Sequence, residues 1–307
     1  MEMNNINFRN NKPLSKKAKL IQSTIDIIGL KKNIEKKMII DDFEKKPKNP
    51  GKSLMNKYAV VVTEQKGRKV WSVSPKYNKT KTLILYLHGG GYLANITKEH
   101  WKLIDSLTNK TNATVIVPDY PLAAKTKCKE VYDFIHSLYS KLILEYPMHR
   151  MIIIGDSAGA GLALGYVQYL RDINKNQPEQ IILFSPWLDV TMSNPKIKLI
   201  DESDKMLSIS GLISAGKKYA GKLDLKDYRV SPIYGNMTGL CKISIFTGTN
   251  DILHADALKL EKIMTSQRLN FNYFEYPQMF HDWVMISNLK ETINVLDKVK
   301  KLIKDYN

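Results

Sequence analysis

A chain of 307 residues is long enough to bury a large core, and 43% hydrophobic with 25% charged residues excludes wholesale disorder. Two cysteines exclude a disulfide framework, and no apolar run reaches the roughly 18 residues of a membrane-spanning helix. Lys and Arg outnumber Asp and Glu by 47 to 30, a net charge of +17. The lysines are spread along the whole chain, so the surplus reads as a solvated basic surface and no nucleic-acid partner is expected.

Residues 14–46 predict two helical segments. Leu14, Ala18, Ile21, Ile25 and Ile28 recur at helical spacing, and a lysine-rich stretch follows. Gln22, Ser23, Thr24 and Asp26 interrupt what would otherwise be a signal-peptide core, which makes a cytoplasmic address the default. Residues 45–52, with Pro47, Pro50 and Gly51, read as a linker. We therefore expect residues 1–50 to form a helical cap segment and linker, and residues 51–307 to form the main domain.

From Tyr58 the rhythm changes. Two β-rich runs, 58–64 and 68–74, flank a turn at Gly67 and predict a hairpin. Apolar runs follow at 83–87, 113–117, 151–154, 181–184, 243–247 and 271–276, without the polar alternation of a half-exposed strand. Helical patterns at 101–109, 131–144, 162–173, 257–264 and 289–303 separate them; in the last, Leu289, Ile293, Leu296, Val299 and Ile303 are expected on one face. About eight strands, mostly parallel, with helices on both faces, is the α/β architecture this order predicts. Residues 190–235 are too long for an ordinary connection and read as an inserted cap element, helical around 212–219.

The run 151–154 leads into Gly155-Asp156-Ser157-Ala158-Gly159, and a helical pattern starts at once. A Gly-x-Ser-x-Gly between strand and helix is a nucleophile elbow: the tight turn lifts the serine hydroxyl clear of the sheet. Upstream, 83–87 leads into His88-Gly89-Gly90-Gly91-Tyr92. Such a glycine loop could cradle phosphate, but it lacks both the Gly-Lys-Ser/Thr of a P-loop and the dinucleotide spacing. As a loop whose N–H groups hold an oxyanion it fits the elbow that follows.

These motifs resemble the hormone-sensitive-lipase-like branch of the α/β-hydrolase superfamily, as do Asp119-Tyr120-Pro121-Leu122-Ala123 and Ser185-Pro186-Trp187-Leu188-Asp189. The likeness runs from about Leu83 to His281. Pro121 stands where the family usually has Arg, and Ala124-Lys125 where it has Pro-Glu. The resemblance implies an α/β-hydrolase fold and a serine carboxylesterase or lipase-like enzyme acting on short- to medium-chain acyl esters. It also implies oxyanion donors at Gly90, Gly91 and Ala158, with His88 and Gly89 supporting the loop.

The acid and base follow from chain order, Ser then Asp then His. Asp251 lies just past the run 243–247 and is preferred to Asp256, one helical turn on. His281 follows the last strand, whereas His254 is too close to Asp251 to face it; His100, His136 and His149 read as ordinary helix or surface residues. No metal or cofactor is expected, since no His/Cys cluster suggests one. A small ester is the expected partner, with room for a homodimer. A non-catalytic ligand receptor on the same scaffold, and a peptidase or amidase using the same three residues, are the competing readings.

Overall fold

The computed structural model describes residues 5–44, 46–123 and 125–304; Lys45 of the expected linker and Ala124 of the Ala124-Lys125 departure lie outside the described residues. In chain order the elements are β1 (Asn7–Arg9), α1 (Lys16–Ile27), α2 (Leu30–Ile40), α3 (Lys52–Lys57), β2 (Ala59–Gln65), β3 (Arg68–Ser74), β4 (Thr82–Leu87), α4 (Lys98–Thr111) and β5 (Thr114–Pro118). There follow α5 (Cys128–Glu145), β6 (Arg150–Asp156), α6 (Ser157–Asp172), β7 (Gln180–Phe184), α7 (Lys196–Ile200), α8 (Ile209–Ala220), β8 (Lys242–Gly248), α9 (His254–Ser266), β9 (Phe271–Tyr276) and α10 (Lys290–Lys304).

The strands form one sheet in the order β1-β9-β8-β7-β6-β4-β5-β3-β2. Among the described residues only the pairings β2–β3 and β3–β5 are antiparallel. The continuous apolar runs are explained by two cores. Along β4, Leu83, Leu85 and Leu87 enter the core on one side, and Ile84 and Tyr86 the core on the other. In β6, Ile153 faces the first core, Ile152 and Ile154 the second. A period of two with apolar residues on both faces leaves no polar position to read.

Among the described residues the sheet has nine strands, one more than expected. The extra strand, β1, comes from the segment expected to be all cap and linker, and runs parallel to β9 with Phe8 opposite Phe274. Three residues reading Asn-Phe-Arg carry no strand signal of their own; the edge of β9 supplies the partner. Within the expected linker, the Lys48 carbonyl accepts the Trp101 indole N–H at 2.7 Å, and α3 begins at Lys52.

Two helix faces differ from expectation. In α10 the buried side is Val295, Leu296, Val299, Leu302 and Ile303, while Ile293 is exposed. In α1, Ala18 and Ile25 are buried but Ile28, at the helix end, is exposed. Ser15 caps α1, accepting the Ala18 N–H, and donates through its own N–H (2.7 Å) and hydroxyl (3.0 Å) to Glu291 of α10. No helix of the described residues is long and apolar enough to cross a membrane.

Candidate active site

The C-terminal ends of β4, β6 and β8, and the loop after β9, bring the expected residues together. Ser157 is the first residue of α6 and has φ of 50°, the strained left-handed conformation of an elbow. The turn closes this tightly because residue 159 has no side chain: a Cβ there would lie 2.0 Å from the Leu87 carbonyl oxygen. Ala158 sits in the first turn of α6, where backbone N–H groups have no partner within the helix.

His281 Nε2 lies 3.0 Å from Ser157 Oγ, and its Nδ1 lies 2.9 Å from Asp251 Oδ2. The other Asp251 oxygen accepts the Leu253 N–H at 2.9 Å, which fixes the carboxylate in the turn after β8. Asp251 is fully buried and Ser157 and His281 are each 5% exposed, so the three residues are shielded from bulk water. Asp256, the competing carboxylate, lies in the first turn of α9 and accepts from Asn194 at 2.9 Å. His254 is directed to Thr247 (3.3 Å) and Glu275 (3.6 Å), away from Ser157.

The glycine loop is held from three directions. The Gly89 N–H donates to Asp156 Oδ2 at 2.9 Å, and the Tyr86 hydroxyl donates to Oδ1 of the same carboxylate. Tyr120 donates to the His88 carbonyl at 2.6 Å and stacks on the His88 ring. His88 Nδ1–H in turn donates to the Gly89 carbonyl at 2.7 Å. Burial, followed by the neighbouring His100, pushes His88 down to about 3, so the ring is neutral at ordinary pH. Gly90 has φ of 107°, a conformation that only glycine adopts freely.

The Asp119 motif therefore braces rather than reacts. Asp119 Oδ1 accepts from Arg68 and from Asn95, each at 2.7 Å. His100, expected to be an ordinary helix residue, is buried with Nε2 3.5 Å from Asp156 Oδ2. Burial alone would raise the Asp156 carboxyl, but His100, Tyr86 and His88 hold it below the ordinary value. A histidine on an amphipathic helix gives no sign in sequence that its ring turns toward a carboxylate 56 positions away.

Ser185 works similarly from the motif after β7: its Oγ accepts the Asp282 N–H at 3.2 Å and steadies the loop carrying His281. The long insertion reaches Asp251 as well. Asp204 Oδ2 accepts the Ile252 N–H at 2.9 Å, beside Asp251; burial and the charge of Asp251 push Asp204 up to about 6. Lys31 of α2 donates to the Asp204 carbonyl at 3.1 Å and to Asp201 at 2.8 Å.

Above the glycine loop stands Met38 of α2. A Cβ at Gly91 would lie 3.1 Å from Met38 Cε and 3.9 Å from Ala215 of α8. The two N-terminal helices divide between the cores. Ala18 and Ile25 pack into the core that contains Phe280 and Trp283, beneath the His281 loop, and it is α2 that overhangs the glycines. Cys128 and Cys241 are free thiols pushed up to about 12 by burial, which leaves neither as a nucleophile.

The profile of the alpha/beta hydrolase fold family matches residues 84–285. An acetyl-hydrolase of Streptomyces hygroscopicus is 30% identical over 213 residues, 69% of this chain and 71% of the relative. A triacylglycerol lipase of Mycobacterium tuberculosis is 29% identical over 229 residues, which span 74% of this chain but only 48% of that lipase. The crystal structure of an esterase from the bacterial hormone-sensitive lipase family superposes with a TM-score of 0.82 at 19% identity, covering 96% of this chain and 99% of that one. That likeness is one of fold.

Proposed function

This chain belongs to the alpha/beta hydrolase fold family, and from that premise we propose that it is a serine carboxylic-ester hydrolase working through an acyl-enzyme. The observation that carries the reading is His281, bridging Asp251 at 2.9 Å and Ser157 at 3.0 Å. Neutral His281 takes the Ser157 proton at Nε2 as Oγ attacks the ester carbonyl. Asp251 accepts Nδ1–H, fixes the tautomer and stabilises the imidazolium that forms. The N–H groups of Gly90, Gly91 and Ala158 receive the oxyanion, a contribution of about 3 kcal/mol per donor. Imidazolium Nε2–H protonates the leaving alcohol, and water attacks the acyl-enzyme by the same steps reversed. No step requires a metal or cofactor.

Acetyl and other short- to medium-chain acyl esters are the substrates this reading favours. The acetyl-hydrolase relative supports a small acyl group, and so does Met38, close above the donors. α2 and the 190–235 insertion serve as the cap in this reading. Fluorophosphonate labelling and turnover of p-nitrophenyl acetate test it together. Wild type should be labelled and active, and Ser157→Ala should lose labelling and at least about three orders of magnitude in kcat with its circular dichroism unchanged. An unlabelled, inactive wild type would favour a ligand receptor, and equal rates on matched amides would favour an amidase.

A further inference from the structure

The nitrogen of His281 that faces Ser157 has a second neighbour. Asp282 Oδ2 lies 3.0 Å from His281 Nε2, the same distance as Ser157 Oγ. The Asp282 carboxylate is 9% exposed, and its other oxygen has no partner among the described residues. Two features bring it there: a φ of 50° at residue 282 and the 3.2 Å bond from its N–H to Ser185 Oγ. A carboxylate this close to the lone pair of Nε2 is repelled, since both are acceptors. The contact is relieved when one proton lies between them, either on the carboxyl or on the ring.

We propose that Asp282 is a positioning residue that shares this proton with His281 Nε2, in competition with Ser157, and thereby sets the pH at which the catalytic base becomes free. The inference rests on the assignment of Ser157 and His281 as nucleophile and base. With the proton present, His281 is held between two carboxylates, Asp251 on Nδ1 and Asp282 on Nε2, and cannot accept from Ser157. When the proton is released to water, the Nε2 lone pair meets a negative charge on one side and the Ser157 O–H on the other. The ring is then a stronger base than an imidazole beside Asp251 alone.

The charged and titratable surroundings point the same way. Asp156, with Tyr86 and His100 around it, lies behind Asp282, and Asp204 lies behind Asp251. Burial alone would lower His281, but Asp282 and then Asp251 raise it well above the ordinary imidazole value. Burial pushes Asp282 up to about 6 in spite of His281 beside it.

The test is the pH dependence of kcat/KM and of His281 protonation in Asp282→Asn, a residue that tolerates this left-handed backbone, and in Asp282→Gly, which prefers it. Removing the negative charge makes the imidazolium easier to deprotonate. The acidic limb should therefore move to lower pH by about one unit or more, and kcat on the high-pH plateau should fall several-fold with KM little changed. Nitrogen NMR of histidine-labelled protein reads the same titration without turnover. His281 should lose its Nε2 proton at lower pH in both variants than in wild type. A limb and an Nε2 titration that stay in place, or move upward, would overturn the proposal. If wild type is inert and unlabelled by fluorophosphonate, the hydrolase reading fails instead, while the NMR comparison still decides whether Asp282 shares the proton.

Discussion

His88 shows how a residue outside the chemistry can shape its pH limits. Its ring is buried, neutral, stacked on Tyr120 and bonded to Gly89. Because its folded pKa of about 3 lies below the unfolded value of 6.5, the unfolded chain binds the proton first. Stability is therefore full above pH 6.5 and falls as pH drops toward 3, at up to about 1.4 kcal/mol per unit from this group. Raised carboxylates such as Asp204 and Asp256 act in the opposite sense between pH 4 and 6, but are common to wild type and variant. In His88→Asn the extra acid loss should disappear, so urea unfolding at pH 6.5 and 4.5 should show wild type losing up to about 2–3 kcal/mol more than the variant. Equal losses would mean that His88 is already charged in the folded protein. Ser157, Asp251 and His281 were legible because each residue type fell after the right strand in the right order. Asp282 was in plain view in the sequence, but its role depends on a positive φ that no side-chain pattern records.

At the scale of elements, what matters is how α2 meets the glycine loop. Met38 is buried where α2 packs on α8, with Sδ 3.2 Å from where a Cβ at Gly211 would stand and Cε beside Gly91. Met38→Ala should open room over Gly91 and, on the proposed function, raise kcat/KM for an octanoyl ester relative to an acetyl ester by about tenfold. It should also cost about 2 kcal/mol or more of stability. A chain-length profile identical to wild type would remove Met38 from the acyl wall. This substitution is a cleaner probe than deleting residues 1–30, which would also remove β1 and the Ser15–Glu291 tie. The first helix of this region was legible from apolar spacing, and the second was expected in the lysine-rich stretch after it. Which of them overhangs the site was not, because α1 and α2 have similar spacing and only the cores they enter tell them apart.

Over the whole molecule, a mostly parallel sheet with a core on each side follows from strands that are apolar on both faces, and this much the chain announced. The edge was silent. β1 gains its strand conformation from β9, and Phe8 anchors it, its ring 6.2 Å from Phe274 and 5.9 Å from Tyr276 with the Lys298 ammonium 3.6 Å above it. Phe8→Ala should lower stability by about 1–2 kcal/mol and Tm by a few degrees in a thermal melt; an unchanged Tm would show that β1 only rests on the edge.

The pairing of β1 with β9 also orders events in time. The Tyr273 N–H bonds the Ile6 carbonyl at 2.7 Å, so β1 finds its partner only after the strands β2 to β8 have been made. Until then Phe8 has no β9 edge to dock on, and contacts between such distant segments are slow to form. The edge of the sheet is thus closed by the same late segment that brings His281 to Ser157, so the two are completed together.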